Sequence, residues 1–384
     1  MQAQQMRQPR VLTPYPMGWH PDWLSRVDLF QETKTCSKGN PHLKLRRPFK
    51  LLRDLRRAWH LFRQGRHYDA VLTGSDWDGL FFCILQRILR RRSRVPHVFL
   101  DFYVNLRGSH AERAVRASLY RLAVQGSSKV IVQRRREAGL YADAFRLPER
   151  HFTFLPYHST AFDVNYEAKD GGYIFAGGDT HRDYPVLIRA VSGLCYRTII
   201  AAARRDHFRG IEIPPNVEIR TASHEEFMQL MAAASVVVVP LQAMPQHVGG
   251  EQTYINAMTM GKPTIVTDPD ACDYIAHGVT GILTPPGDAE ALRVAIVKIM
   301  EDPGLAQRIG SAAKAAATRF SPENFFQGVL QVAEECIRSS NAKAPARTHC
   351  SPPRSTAIPG CADGLGPQDP APVRAQAAPS EEQP

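Results

Sequence analysis

Short runs of apolar and β-branched residues alternate along this chain with longer stretches whose apolar positions recur every three or four residues. The runs "YDAVLTGS" (68–75), "HVFLDFYV" (97–104), "KVIVQ" (129–133) and "FTFLP" (152–156) are each bounded by polar or turn residues, as buried strands are. Between them, residues 48–64, 80–91, 111–124 and 135–145 carry the helical period. On the first of these helices the period turns Phe49, Leu52, Leu55, Trp59 and Phe62 inward. Lys50, Arg53, Arg56, Arg57 and Arg63 are left on the outer face. Strands alternating with helices at this spacing imply a parallel sheet covered on both faces.

The stretch "NYEAKDGG" (165–172) has the polarity and glycine content of a linker, and the pattern then restarts. Strand "YIFAGG", helix "YPVLIRAVSGL", strands "RTIIAAA" and "VEIRTA", helix "HEEFMQLMAAA" and strand "VVVVPL" follow in turn. The reading is an α/β chain of two Rossmann-like units, residues 1–164 and 165–338, the second closing with a terminal helix. Residues 339–384 are rich in Pro, Ala and Ser without apolar periodicity, and are expected to be disordered.

Composition narrows the class. The 384 residues are 43% hydrophobic, with no run near the roughly 20 apolar residues a membrane span needs. No secretory leader is read in the first residues, and the 7 cysteines are dispersed without a C-x-x-C pair. That argues against a disulfide framework or a structural zinc site and favours the cytoplasm. The net charge of +11 asks for an anionic partner. The basic segments lack the aromatic interleaving of RNA-binding sheets, so no nucleic acid is expected. The outer face of helix 48–64 could instead rest on anionic headgroups at the inner membrane face, as a peripheral contact.

The richest chemistry lies in "GGEQTYINAMTMGKPTIVTD" (249–268). Glycines lead into a helix expected at 253–260, whose first N–H groups offer a phosphate site, and Gly249 and Gly250 would let a ligand approach the backbone. An ordinary helix–strand connection is the bland alternative. This stretch and the following "DYIAHGVTGILTPPGDAEALRVAIVKIMED" resemble the C-terminal domain of retaining GT-B glycosyltransferases of the family-4 ("group 1") type. The likeness runs from about residue 172 to 320. It implies a GT-B architecture, two Rossmann-like domains facing a cleft. It also implies a nucleotide-diphosphate-sugar donor on the second domain, with a saccharide or lipid-linked acceptor on the first.

Family positions carry over one by one. The carboxylate that usually holds the donor ribose falls on Asn256, and its partner falls on Val248, with Glu251 three positions later. Arg182 matches a diphosphate-binding lysine, while the companion arginine position holds Gly177 or Gly178. Arg204 or Arg205 could supply the second cation, and Gln252 and Thr253 could donate to phosphate oxygens. Asp101, ending "VFLD", stands where many members carry histidine. With Glu251 and Arg182 it completes the expected catalytic set, as a group that orients the acceptor hydroxyl or takes its proton. Asp76, Asp78 and His158 also sit at strand ends. "DWD" (76–78) and "DPD" (268–270) match a short metal-binding pattern. Two separate α/β units argue against the single-domain fold that uses it, so no metal or other cofactor is expected. Two alternatives stay open: a nucleotide-binding protein that has lost turnover, and a nucleotide-sugar epimerase.

Overall fold

The computed structural model describes residues 9–14, 26–29, 47–74, 76–89, 94–100, 102, 104, 109–162, 164, 166, 170–243 and 249–343. Two six-stranded sheets organise it, in the orders β2-β1-β3-β4-β5-β6 and β12-β11-β10-β7-β8-β9. Every strand pairing within them is parallel. The first sheet contains β1 (Val11–Thr13), β2 (Val27–Leu29), β3 (Ala70–Thr73), β4 (His97–Phe99), β5 (Lys129–Val132) and β6 (Phe152–Phe154). In the second are β7 (Tyr173–Gly177), β8 (Arg197–Ala201), β9 (Val217–Arg220), β10 (Val236–Val239), β11 (Thr264–Val266) and β12 (Ile282–Leu283).

Period-two patterning explains why both faces are dry. In β10 all four valines are buried, Val237 and Val239 facing one apolar cluster and Val236 and Val238 the other. The helices expected from sequence cover these faces: α1 (Arg47–Gly65), α2 (Trp77–Leu89), α3 (His110–Val124) and α4 (Arg135–Phe145) in the first half. In the second half lie α5 (Tyr184–Val191), α6 (His224–Ala232), α7 (Glu251–Thr259), α8 (Ala289–Glu301) and α9 (Pro303–Ala317). The last helix, α10 (Pro322–Lys343), crosses back. Its Phe325, Phe326, Val329 and Ala333 pack with Val11, Leu72, Val98 and Ile131 of the first sheet. It was expected as the close of the second unit, yet its apolar stripe caps the first sheet.

Helix α1 departs from its expected face. Asp54, Ala58, Leu61 and Phe62 are buried, whereas Leu52, Leu55 and Trp59 are exposed. Ala58, Leu61 and Phe62 fill the packed face, and at its edge Arg57 Nε stands 3.3 Å from Asp78 Oδ2 of α2. Ala58 then supplies the small contact that close helix packing requires.

Among the described residues, no helix is long and apolar enough to cross a membrane.

Candidate functional site

The strand order of the second sheet reverses between β7 and β10. In an open α/β sheet the carboxyl ends flanking such a reversal form the ligand crevice. Here they are stitched together. Asp183 N donates to Pro240 O (2.9 Å), Gln242 N donates to His181 O (3.0 Å), and Arg182 bridges Leu241. After β10 the chain reaches Gly249 and Gly250, at φ 79° and 100°, and enters α7. The helix begins two residues earlier than expected because Gly250, left-handed, serves as its N-cap. Glu251 and Gln252 therefore lie in its first turn, at the positive end of the helix dipole.

Arg182 is fully built into this crevice. Its Nε donates to Gly177 O (2.9 Å), Nη1 to Thr180 O (2.8 Å) and Nη2 to Thr253 Oγ1 (2.9 Å). A methyl group on Gly178 would lie 2.8 Å from its Nη2, and one on Gly250 3.3 Å from its Nη1. The guanidinium thus ties the β7 loop to the start of α7, and the two glycines leave it room. Burial pulls its pKa below the ordinary arginine value, though it stays a cation at neutral pH. Gly177 and Gly178 form the turn beneath it, with Gly178 at φ 99°. Arg204, on the loop after β8, is exposed; its backbone N–H donates to Asp179 Oδ1 (2.9 Å).

The opposite wall comes from the first sheet. Arg134, directly after β5, is buried and reaches across to two carboxylates of the second half. Its Nε donates to Glu251 Oε1 (2.8 Å) and its Nη1 to Asp268. Its Nη2 is buried without a hydrogen-bond partner. The paired carboxylates outweigh burial and raise its pKa above the usual arginine range. Tyr274 lies beside this group, donating its hydroxyl to Gln133 O (2.6 Å) and accepting from Tyr157 N (3.1 Å). Burial near Glu251 pushes the Tyr254 and Tyr274 hydroxyls upward in pKa.

Asn256, on the second turn of α7, has no spare valence. Its Oδ1 accepts from Ser159 Oγ (3.0 Å), Thr160 N (2.9 Å) and Gln252 Nε2 (3.1 Å). Its Nδ2 donates to Thr160 Oγ1 (2.9 Å) and to Met228 Sδ (3.7 Å). The residue that the resemblance places at a ribose fastens the segment after β6 to α7. Gln252, expected at phosphate, also donates to His158 O (3.2 Å) in that seam. His158 itself is buried against Tyr157, Phe325 and Phe326, and burial lowers its pKa. Asp78 pairs with Arg57 and accepts from Gly79 N (2.8 Å), and burial raises its pKa. Asp101 and Val248 lie outside the described residues.

Structure therefore brings Gly177, Gly178, Arg182, Gly250, Glu251, Gln252, Thr253 and Asn256 to one place. Arg134 and Asp268 were missed as partners. The signal was "QRRR" directly after a strand, where the first arginine must sit on the crevice edge. Among the described residues no cluster of three His, Cys, Asp or Glu could hold a metal ion.

Residues 174–302 match the family model described as Glycosyl transferases group 1. The HepE protein of Anabaena in complex with UDP superposes at TM-score 0.61 and 17% identity, over 85% of this chain and 100% of that one. Sucrose-phosphate synthase of Thermosynechococcus elongatus does so at 0.61 and 16%, over 87% and 100%. The fold is that of GT-B glycosyltransferases, and the group 1 match lies in its second half. The matched segment contains the β7–β10 reversal, and the fold is the one that the resemblance implied. A TarM variant of S. aureus, in complex with Fondaparinux, alpha-GlcNAc-glycerol and UDP, superposes at 0.53 and 13% identity, over 72% of this chain and 58% of that one. By sequence, 126 residues are 31% identical to an exopolysaccharide phosphotransferase of Streptomyces coelicolor. That match covers 31% of this chain and 12% of the relative, so the chain spans a small part of that protein's length.

Proposed function

We propose that the chain transfers a sugar from a nucleoside-diphosphate-sugar to a saccharide or lipid-linked acceptor, with retention of configuration. The observation that carries this reading is the start of α7 at the β7–β10 reversal. There two left-handed glycines, the first turn of a helix whose N-cap glycine offers no side-chain cap, and a buried arginine face one crevice. The donor diphosphate lies against the N–H groups of Glu251 and Gln252, with Thr253 and Arg182 behind them. Departure of the nucleoside diphosphate builds negative charge at that point, and fixed dipoles stabilise it without reorganising. Exposed Arg204 adds a second cation beside the β7 loop. Glu251, oriented by Arg134, accepts from a hydroxyl of the donor sugar. On the acceptor side Asp101 is the group proposed to orient the attacking hydroxyl. Leaving-group oxygen takes the proton on the same face, so no protein nucleophile, metal or other cofactor is required. The superposed HepE complex with UDP and the TarM complex with alpha-GlcNAc-glycerol and UDP support a uridine donor and a saccharide acceptor.

The test is incubation with a panel of nucleotide-sugars and saccharide acceptors, reading both the sugar product and the nucleotide released. Glycosyl transfer yields the nucleoside diphosphate, and Arg182→Ala lowers its rate at least a hundredfold. Release of the monophosphate would show phosphotransfer instead. A second reading has support in the ion pair that occupies Glu251 and the bonds that fill Asn256: a domain that binds nucleotide without turnover. Nucleotide binding in the absence of any product would establish it.

A further inference from the structure

The rotation of α1 leaves an unusual surface. Leu51, Leu52, Leu55 and Trp59 are 46%, 64%, 42% and 43% exposed. At 3.6 residues per turn they share one arc of roughly 100° along the helix. The neighbouring arc holds Arg63, Arg56 and Arg53, all exposed, and the arc on the other side is the buried one of Ala58 and Leu61. Around its axis α1 therefore reads protein, apolar, basic. Just beyond the apolar arc, His60, Arg63, Gln64, Arg66 and His67 line a hollow of about 260 Å³.

We propose that α1 docks this domain onto an anionic lipid bilayer. A helix lying in a membrane interface needs an apolar face that sinks among the acyl chains and flanking cations at headgroup level. Leu52, Leu55 and Trp59 form the first, with Trp59 presenting an aromatic ring suited to the interface. Arg53, Arg56 and Arg63 form the second, and the basic hollow has room for a phosphate-bearing headgroup. Charge selects this occupant over a second copy of the chain. Facing arginine rows would repel one another across a two-fold interface, whereas anionic headgroups neutralise them. The inference is independent of the transfer reaction, since α1 contributes nothing to the β7–β10 crevice.

Flotation of the full chain with phosphatidylcholine vesicles, with and without phosphatidylglycerol, tests it. The wild type is expected to float only with anionic vesicles. Combining Arg53→Gln, Arg56→Gln and Arg63→Gln is expected to lower partitioning about a hundredfold, from roughly 1 kcal/mol per basic residue. The combination Leu52→Ser, Leu55→Ser and Trp59→Ser is expected to lower it at least tenfold. Cooperative melting of both variants shows that they fold; a modest loss is expected in each, since Arg53 pairs with Asp54 (3.0 Å) and Trp59 stacks on Phe62. Equal flotation of the apolar variant and the wild type would overturn the proposal, as would no flotation of the wild type. A lipid-free dimer that the apolar variant dissolves would also overturn it, by giving the face to a second copy.

Discussion

Replacing Arg134 by methionine isolates the link between the two sheets. The substitution keeps most of the side-chain length and removes the charge that Glu251 and Asp268 share. Both carboxylates are nearly shielded, with side chains 5% and 9% exposed, and Arg134 itself is 4% exposed. An intact buried pair gains little net stability because desolvation offsets attraction. Stranding its partners is different, and costs about 3–5 kcal/mol. For a domain pair of this size, roughly 1.5–2 °C of melting temperature is lost per kcal/mol, so Arg134→Met should melt about 5–10 °C lower. The assay is thermal and urea unfolding at neutral pH. A triple variant, Arg134→Met with Glu251→Gln and Asp268→Asn, removes the stranded charges and should recover more than half the loss. A single variant that costs less than about 1 kcal/mol would refute the reasoning. So would a triple variant no more stable than the single one, because the loss would then come from packing.

Three further outcomes follow from the same geometry. Burial between Thr73, Cys83 and Phe99 holds the His97 pKa down to about 3, so the folded chain refuses a proton that the unfolded chain accepts near 6.5. This contribution is complete above pH 6.5 and shrinks as pH falls toward 3; at pH 5 His97 should account for about 2 kcal/mol of lost stability, which His97→Gln should remove from a urea titration. Asn256→Ala should cost about 2–3 kcal/mol by unpairing Ser159 and Thr160, yet leave UDP affinity within threefold by calorimetry; a tenfold weaker affinity would return Asn256 to the ribose. Gly250→Ala meets φ 100° and neighbours at 3.1–3.3 Å, so it should lose at least 1–2 kcal/mol by urea unfolding and weaken UDP binding more than tenfold by calorimetry.

Much of this fold was legible because its signals are local. Valine runs such as 236–239, short, β-branched and bounded by turn residues, read as strands covered on both faces, and the glycines at 249 and 250 marked a helix entry, though its start was placed two residues late. Long-range information was the missing part. The face that α1 buries is set by its packing on α2, where Arg57 meets Asp78, and nothing within residues 48–64 reveals that surface. Similarly, the destination of α10 was hidden, since an apolar stripe does not say which sheet it will cover. Within the site, Arg182, Gly177 and Gly178 were named through the resemblance, and Gly249 and Gly250 from the local pattern ahead of a helix. Their bonding was not: Asn256 reads as a polar residue on a helix, and only the approach of Ser159 and Thr160 shows its amide to be filled. Arg134 escaped because its partners, Glu251 and Asp268, lie more than a hundred residues downstream.

The most direct test is a crystal structure of the chain with UDP or a UDP-sugar. The account predicts the diphosphate within hydrogen-bond distance of the Glu251 and Gln252 N–H groups, above Arg182 and between the loops that follow β7 and β10. A diphosphate bound elsewhere, with this crevice empty, would contradict it.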